Sequence, residues 1–140
     1  MGVINNMENS SLQEVIKSSK VIIHKGKYAY LKAKESSSLD RHFLVSQDQD
    51  EITIVTEEKN VENVKYEEEV KWFKLIEIKV SLPFLAKGFL ANVTKTVADK
   101  DLNILVVSTF SKDYILVREE THEIAVEALK EAGFPVEIEY

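Results

Sequence analysis

Two periodicities alternate along the chain. From Trp72 to Val80 the period is two. Trp72, Lys74, Ile76 and Ile78 fall on one face, and Phe73, Leu75 and Glu77 on the other, which predicts a β-strand. Over Leu85–Asp99 the period lengthens: Leu90, Val93 and Val97 recur at helical spacing, with Phe89 and Ala98 widening the stripe. Asn103–Val107 and Asp113–Val117 are short apolar runs and predict two strands. Glu120–Ala132 predicts a second helix with Ile124, Ala128 and Leu129 inward. Gly133 then supplies a left-handed end and Pro135 blocks continuation. Val136–Tyr140 predicts a last strand. The order from Trp72 onward is β-α-β-β-α-β, the split-βαβ or ferredoxin-like pattern: an antiparallel sheet with helices on one face.

The first half reads less regularly. Met1–Asn9 is polar, and Ser10–Ser19 predicts a short helix with Leu12, Val15 and Ile16 at helical spacing. Val21–His24 and Lys27–Lys34 predict strands that meet at Gly26. His42–Ser46 and Glu51–Thr56 predict a hairpin closed by Gln47–Asp50. Glu57–Lys71 is charged and predicts a short helix and the start of a long strand.

The two halves share a hairpin. Arg41–Glu58 aligns on Asn103–Glu120 without a gap, at a spacing of 62. Val45 and Ser46 then fall on Val107 and Ser108, and Val55, Glu57 and Glu58 on Val117, Glu119 and Glu120. Outside that hairpin the match fails, since only a short connector replaces the helix. The expected organisation is an N-terminal tail or short helix over 1–19, a worn copy of the unit over 20–70 with shortened helices, and a full unit over 71–140.

Composition narrows the function. The chain has 140 residues and is 44% apolar, enough for a continuous core. It has no cysteine, so it forms no disulfide and offers no thiolate to a metal or a substrate. This suits a reducing compartment. Twenty-four acidic residues against 18 basic ones give a net charge of −6, which disfavours nucleic acid. The longest apolar run, near Ile104–Val107, is too short to cross a bilayer. The first residues lack a charged start followed by an apolar run, so neither a signal peptide nor a membrane is expected, and the expected location is the cytoplasm.

The stretch Gly88-Phe-Leu-Ala-Asn-Val-Thr-Lys-Thr-Val-Ala-Asp-Lys-Asp-Leu-Asn-Ile104 resembles the signature of the ACT domain. In that signature a glycine opens the first helix, Leu-Ala and Val line its inner face, and Ile-Asn-Ile enters the second strand. Ser108-Thr-Phe-Ser-Lys-Asp-Tyr-Ile-Leu-Val117 is similar to a segment of one ACT subfamily of short, two-unit proteins, related to the ACT units of aspartokinases and of amino-acid sensors. The likeness is weaker over Ser19–Lys71, through Tyr28–Lys34 and Asp50–Val55. The resemblance implies an α+β fold of tandem ferredoxin-like (βαββαβ) ACT units, commonly dimeric, with amino acids bound where units meet. One motif departs: the family's Asp-x-Pro-Gly before the first helix reads Leu85-Ala-Lys-Gly88 here.

A free amino acid carries a carboxylate and an ammonium on one carbon. A helix N-terminus suits the carboxylate, and Lys87, Gly88, Phe89 and Leu90 occupy that position. Asp113 and carbonyls near Ser108 and Thr109 suit the ammonium. Asn103 offers a donor and an acceptor, and Phe110 an apolar wall. Each has a plainer alternative. Gly88 and Asp113 also serve turns, Asn103 also satisfies backbone groups, Phe110 also suits a core or dimer contact, and Lys87 also suits a solvated helix start. His24, His42 and His122 are isolated and show no metal-ligand spacing, so no metal or cofactor is expected. No histidine lies near Ser108, Thr109 or Ser111 to activate a hydroxyl, so no catalytic residue is expected. The expected function is a non-catalytic regulatory module, a homodimer that binds an amino acid or similar metabolite and acts on an unidentified target protein. A dimerisation module without ligand is the alternative.

Overall fold

The computed structural model describes residues 12–36, 38–80 and 88–140. Its elements are a helix over residues 12–18 (α1), β1 (Lys20–Ile23), β2 (Tyr28–Ala33), β3 (Leu44–Gln47), β4 (Ile52–Glu57), β5 (Tyr66–Lys79), α2 (Phe89–Ala98), β6 (Ile104–Ser108), β7 (Asp113–Arg118), α3 (His122–Glu131) and β8 (Val136–Ile138). Short 3-10 turns cover Leu39–Arg41, Glu58–Asn63 and Glu119–Thr121. The fold is α+β and ferredoxin-like, as the periodicities predict.

Two compact units result. One comprises the N-terminal segment up to Lys25 together with Leu75–Tyr140; the other is Gly26–Lys74. The sequence placed these boundaries near residues 19/20 and 70/71. The difference lies in β1. Val21, Ile22 and Ile23 are all buried, so this strand needs cover on both faces and neighbours on both edges. It finds them between β5, antiparallel, and β8, parallel. The simple split-βαβ order is thereby widened, since the N-terminal strand separates the first and last strands of the C-terminal repeat.

The core of the first unit lies between this sheet and its helices. Val21 and Ile23 of β1, Ile76 and Ile78 of β5, and Ile115 and Val117 of β7 pack against Phe89, Val93 and Val97 of α2 and Ala125, Val126 and Leu129 of α3. Val15 and Ile16 of α1 join the same cluster. The inward stripe of α3 runs through Ala125, Ala128 and Leu129. Ile124, expected inward, is 47% exposed, because the helix starts at His122 and its 3.6-residue turn carries position 124 off the buried arc. Gly133 ends α3 at φ +104°, and the Phe134 N–H donates to the Leu129 carbonyl at 3.1 Å.

The second unit, in the order β3-β4-β2-β5, has no α-helix among its described residues. Ala29, Leu31, Ala33, Ile54 and Val64 form its core, and Val61 of the Glu58–Asn63 turn packs against them. A 3-10 turn thus stands where the first unit has α3. The repeat itself shifts by one residue. Gln47 pairs Ile52 at the tip of one hairpin and Ser108 pairs Asp113 at the tip of the other, so equivalent positions are 61 apart rather than 62. A one-residue slip turns every side chain to the other face. At the observed spacing Ile54 falls on Ile115, and each lies in its own unit's core.

Truncation of the fully buried Leu129 tests this packing. Leu129→Ala is expected to cost about 3 kcal/mol in urea unfolding, whereas Ile124→Ala changes stability by less than about 0.5 kcal/mol. Equal losses at the two positions would refute the assigned inner face of α3.

Candidate functional site

The hairpin β6–β7 holds most of the predicted site. Ser108 closes β6 and Asp113 opens β7. Across the turn the Ser108 hydroxyl donates to Asp113 Oδ1 at 2.7 Å. The Thr109 N–H donates to the Lys112 carbonyl at 2.8 Å, and its hydroxyl to the same oxygen at 3.2 Å. The tip is therefore fixed by its own polar groups. Phe110 stands out from it, 87% exposed.

Gly88 caps α2 at φ +76°, a left-handed conformation that costs an L-residue about 1–2 kcal/mol. A methyl group built there meets no described atom within 4 Å. The Gly88 carbonyl accepts the first intrahelical bond, from the Asn92 N–H at 2.9 Å. The N–H groups of Phe89, Leu90 and Ala91 precede that bond and have no acceptor within the helix. The Phe89 side chain turns inward and meets Phe134 edge-on, with centroids 5.9 Å apart, so only its backbone is offered at the helix end. Leu90 is half-buried. Lys87 lies outside the described residues.

Asn103 does not join this group. It immediately precedes Ile104, which pairs Val117, whereas the hairpin tip lies at the Ser108–Asp113 pair. At roughly 3.3 Å per residue, Asn103 stands about 16 Å from the tip, at the other end of β6.

A polar cluster that sequence reasoning missed lies against the hairpin. Glu77 on β5 is 6% exposed. Its Oε1 lies 2.8 Å from His24 Nε2, and its Oε2 lies 3.4 Å from Lys112 Nζ in the hairpin turn. His24 Nδ1 lies 2.9 Å from Glu139 Oε1, which also accepts the Lys25 N–H at 3.2 Å. Burial pushes the Glu77 carboxyl up. Hydrogen bonds from His24 and Lys112 and their positive field outweigh it, and the carboxyl sits below its ordinary value. The signal was present in the sequence: Glu77 is a charged residue inside the apolar run Leu75–Ile78. Lys112 also fixes a direction, since Glu77 is near the exit end of β5 and the hairpin tip lies beside that end. The other two histidines are bonded locally. His42 Nδ1 lies 2.8 Å from Thr56 Oγ1, and His122 Nδ1 lies 2.6 Å from the Glu119 carbonyl. Among the described residues no three carboxylate or imidazole groups converge as metal ligands.

Residues 68–131 match the sequence profile of the ACT domain. This stretch is an ACT domain. It spans Gly88, α2 and the whole β6–β7 hairpin. No curated protein is significantly similar to the chain in sequence. Among solved structures, the ACT fold recurs in a protein of unknown function from Vibrio cholerae, with 21% identity, a TM-score of 0.76, and coverage of 90% of this chain and 98% of that one. A protein from Agrobacterium tumefaciens shares 25% identity with a TM-score of 0.73, over 87% of this chain and 94% of that one. The regulatory subunit of aspartate kinase from Thermus thermophilus, in its ligand-free form, shares 9% identity with a TM-score of 0.61, over 84% of this chain and 98% of that one. The likenesses to the Vibrio cholerae and Thermus thermophilus structures are of fold alone. None of the described helices is long and apolar enough to cross a membrane.

The Glu77 cluster sets a pH test of the ACT domain. A carboxyl whose folded value is lowered contributes stability above its unfolded value, and that contribution disappears as pH falls through the folded value. Glu77→Gln is expected to lose about 2 kcal/mol at pH 7 in urea unfolding. The gap to the unmodified chain should narrow as pH drops below the ordinary carboxyl value of 4.5. A gap constant from pH 7 to pH 3 would refute this role.

Proposed function

We propose that the chain is a non-catalytic regulatory module of the cytoplasm that binds an amino acid or a similar small metabolite beside the start of α2. The ligand carboxylate lies on the N–H groups of Phe89 and Leu90, where the helix dipole is positive. Its ammonium lies at Asp113, whose carboxylate has lone pairs left after accepting from Ser108. Gly88 keeps the approach open. The observation that carries this reading is the match of residues 68–131 to the ACT domain, since it encloses both the glycine-capped helix and the hairpin. The Lys112–Glu77 contact supports it by tying the hairpin tip to the end of β5 from which the chain leaves for α2.

Regulation requires that ligand favour one state over another. In this reading the states are assemblies of the chain, and one of them is recognised by a target protein. β6 supports the assembly: it is apolar, it pairs only β7 among the described strands, and it exposes Val106, with Phe110 just past its end. These exposed residues also favour the second reading, a dimerisation module that takes no ligand.

Calorimetric titration with each of the twenty amino acids separates the two. Binding by one or a few of them is expected, weakened at least tenfold by Asp113→Asn and by Gly88→Ala. Failure of every amino acid to bind leaves the second reading in place of the first. Sedimentation tests the assembly: the unmodified chain is expected as a dimer and Val106→Lys as a monomer. A chain that sediments as a monomer at every concentration, with and without amino acids, would end both readings of the edge.

A further inference from the structure

The unit Gly26–Lys74 carries a cavity of about 460 Å³ that plays no part in the site above. Tyr30, Lys32, Glu51, Thr53, Glu68 and Val70 line it. Strand register explains its character. Residues directly opposite one another share a face, and the face repeats every second residue. Tyr30 pairs Val55 on β4 and Val70 on β5, which makes one row apolar. Two residues on, Lys32 pairs Thr53 and Glu68, which makes the next row polar and charged. The cavity thus has an apolar side and a charged side within one sheet face. Its size is that of sites for small molecules.

The charges are unbalanced. Glu67, Glu68 and Glu51 all act on the single ammonium of Lys32, which lies 3.4 Å from Glu67 Oε1. Glu69 is already paired with Lys71 at 2.7 Å. Lys32 is therefore engaged, and Glu51 and Glu68 leave the charged side negative. On the apolar side Val70 is 45% exposed and Tyr30 is half-buried, so an apolar group placed there removes surface from water.

We propose that this cavity is a binding site for a small organic cation, a primary ammonium carrying a branched or straight apolar arm. The ammonium lies on the Glu51 and Glu68 side and the arm lies over Tyr30 and Val70. The site needs neither Gly88 nor Asp113, so it is independent of the amino-acid site proposed above.

Leucinamide, a cation with an apolar arm, and N-acetylleucinamide, its neutral counterpart, test this in amide-resolved NMR titrations of the full chain. Leucinamide is expected to shift the amides of residues 30–32, 53 and 68–70, and to bind at least tenfold more tightly than the neutral analogue. Glu51→Gln combined with Glu68→Gln should weaken it about tenfold, with the melting temperature unchanged. Asp113→Asn should leave it unaffected. Raising the salt concentration should weaken leucinamide binding in the unmodified chain, which tests the charge term without any substitution. Equal binding of the two probes, shifts confined to residues 88–90 and 108–113, or indifference to both the double variant and salt would overturn the proposal.

Discussion

The ACT domain of this chain depends on the burial of one strand that lies outside its own stretch of sequence. Val21 and Ile23 supply apolar contacts on the helix side of the sheet, beside Ile76 and Ile78, while Ile22 is buried on the opposite face. Without β1, β5 would lack one neighbour and β8 its only described one. The hydrophobic term and the ladder hydrogen bonds therefore act together at the same three residues, Val21, Ile22 and Ile23. The predicted site sits on a helix and a hairpin that this core holds in place, through Phe89, Val93, Ile115 and Val117.

Much of this was legible in the residues. The switch from alternation to helical spacing at Leu90, Val93 and Val97 located α2, and the apolar runs located β6 and β7, because burial of one face imposes the periodicity directly. Pairing partners were less legible. Nothing in Lys20–Ile23 says which strands will flank it, since any apolar strand can pair with any other until the whole sheet is assembled. The repeat shows the same limit. Aligning residues by type gave a spacing of 62, but the hairpin tips fix 61, and only the tips decide which face a residue joins.

The candidate site was legible in part. Ser108, Thr109 and Asp113 come together because a hairpin turn brings together residues close in sequence. Asn103 was expected with them and lies at the other end of β6, since a strand separates its two ends by its full length. Phe89 is a core residue through its side chain, and only its backbone is left for the proposed site. The Glu77 cluster joins residues 24, 77, 112 and 139, four distant segments, and no local pattern announces such a meeting. A charged residue in an apolar run was its one mark.

The place of β1 has a consequence for how the chain emerges during synthesis. Residues 20–23 leave the ribosome long before Val136–Ile138, the strand that lies parallel beside them. The first of the two must wait beside β5 with one edge open until residues 136–138 have been made. Contacts between residues so far apart in sequence form slowly, because a long loop must close before they repay its lost entropy. A nascent chain of this design is thus open to wrong partners at β1, and is covered along that edge only once β8 has been made.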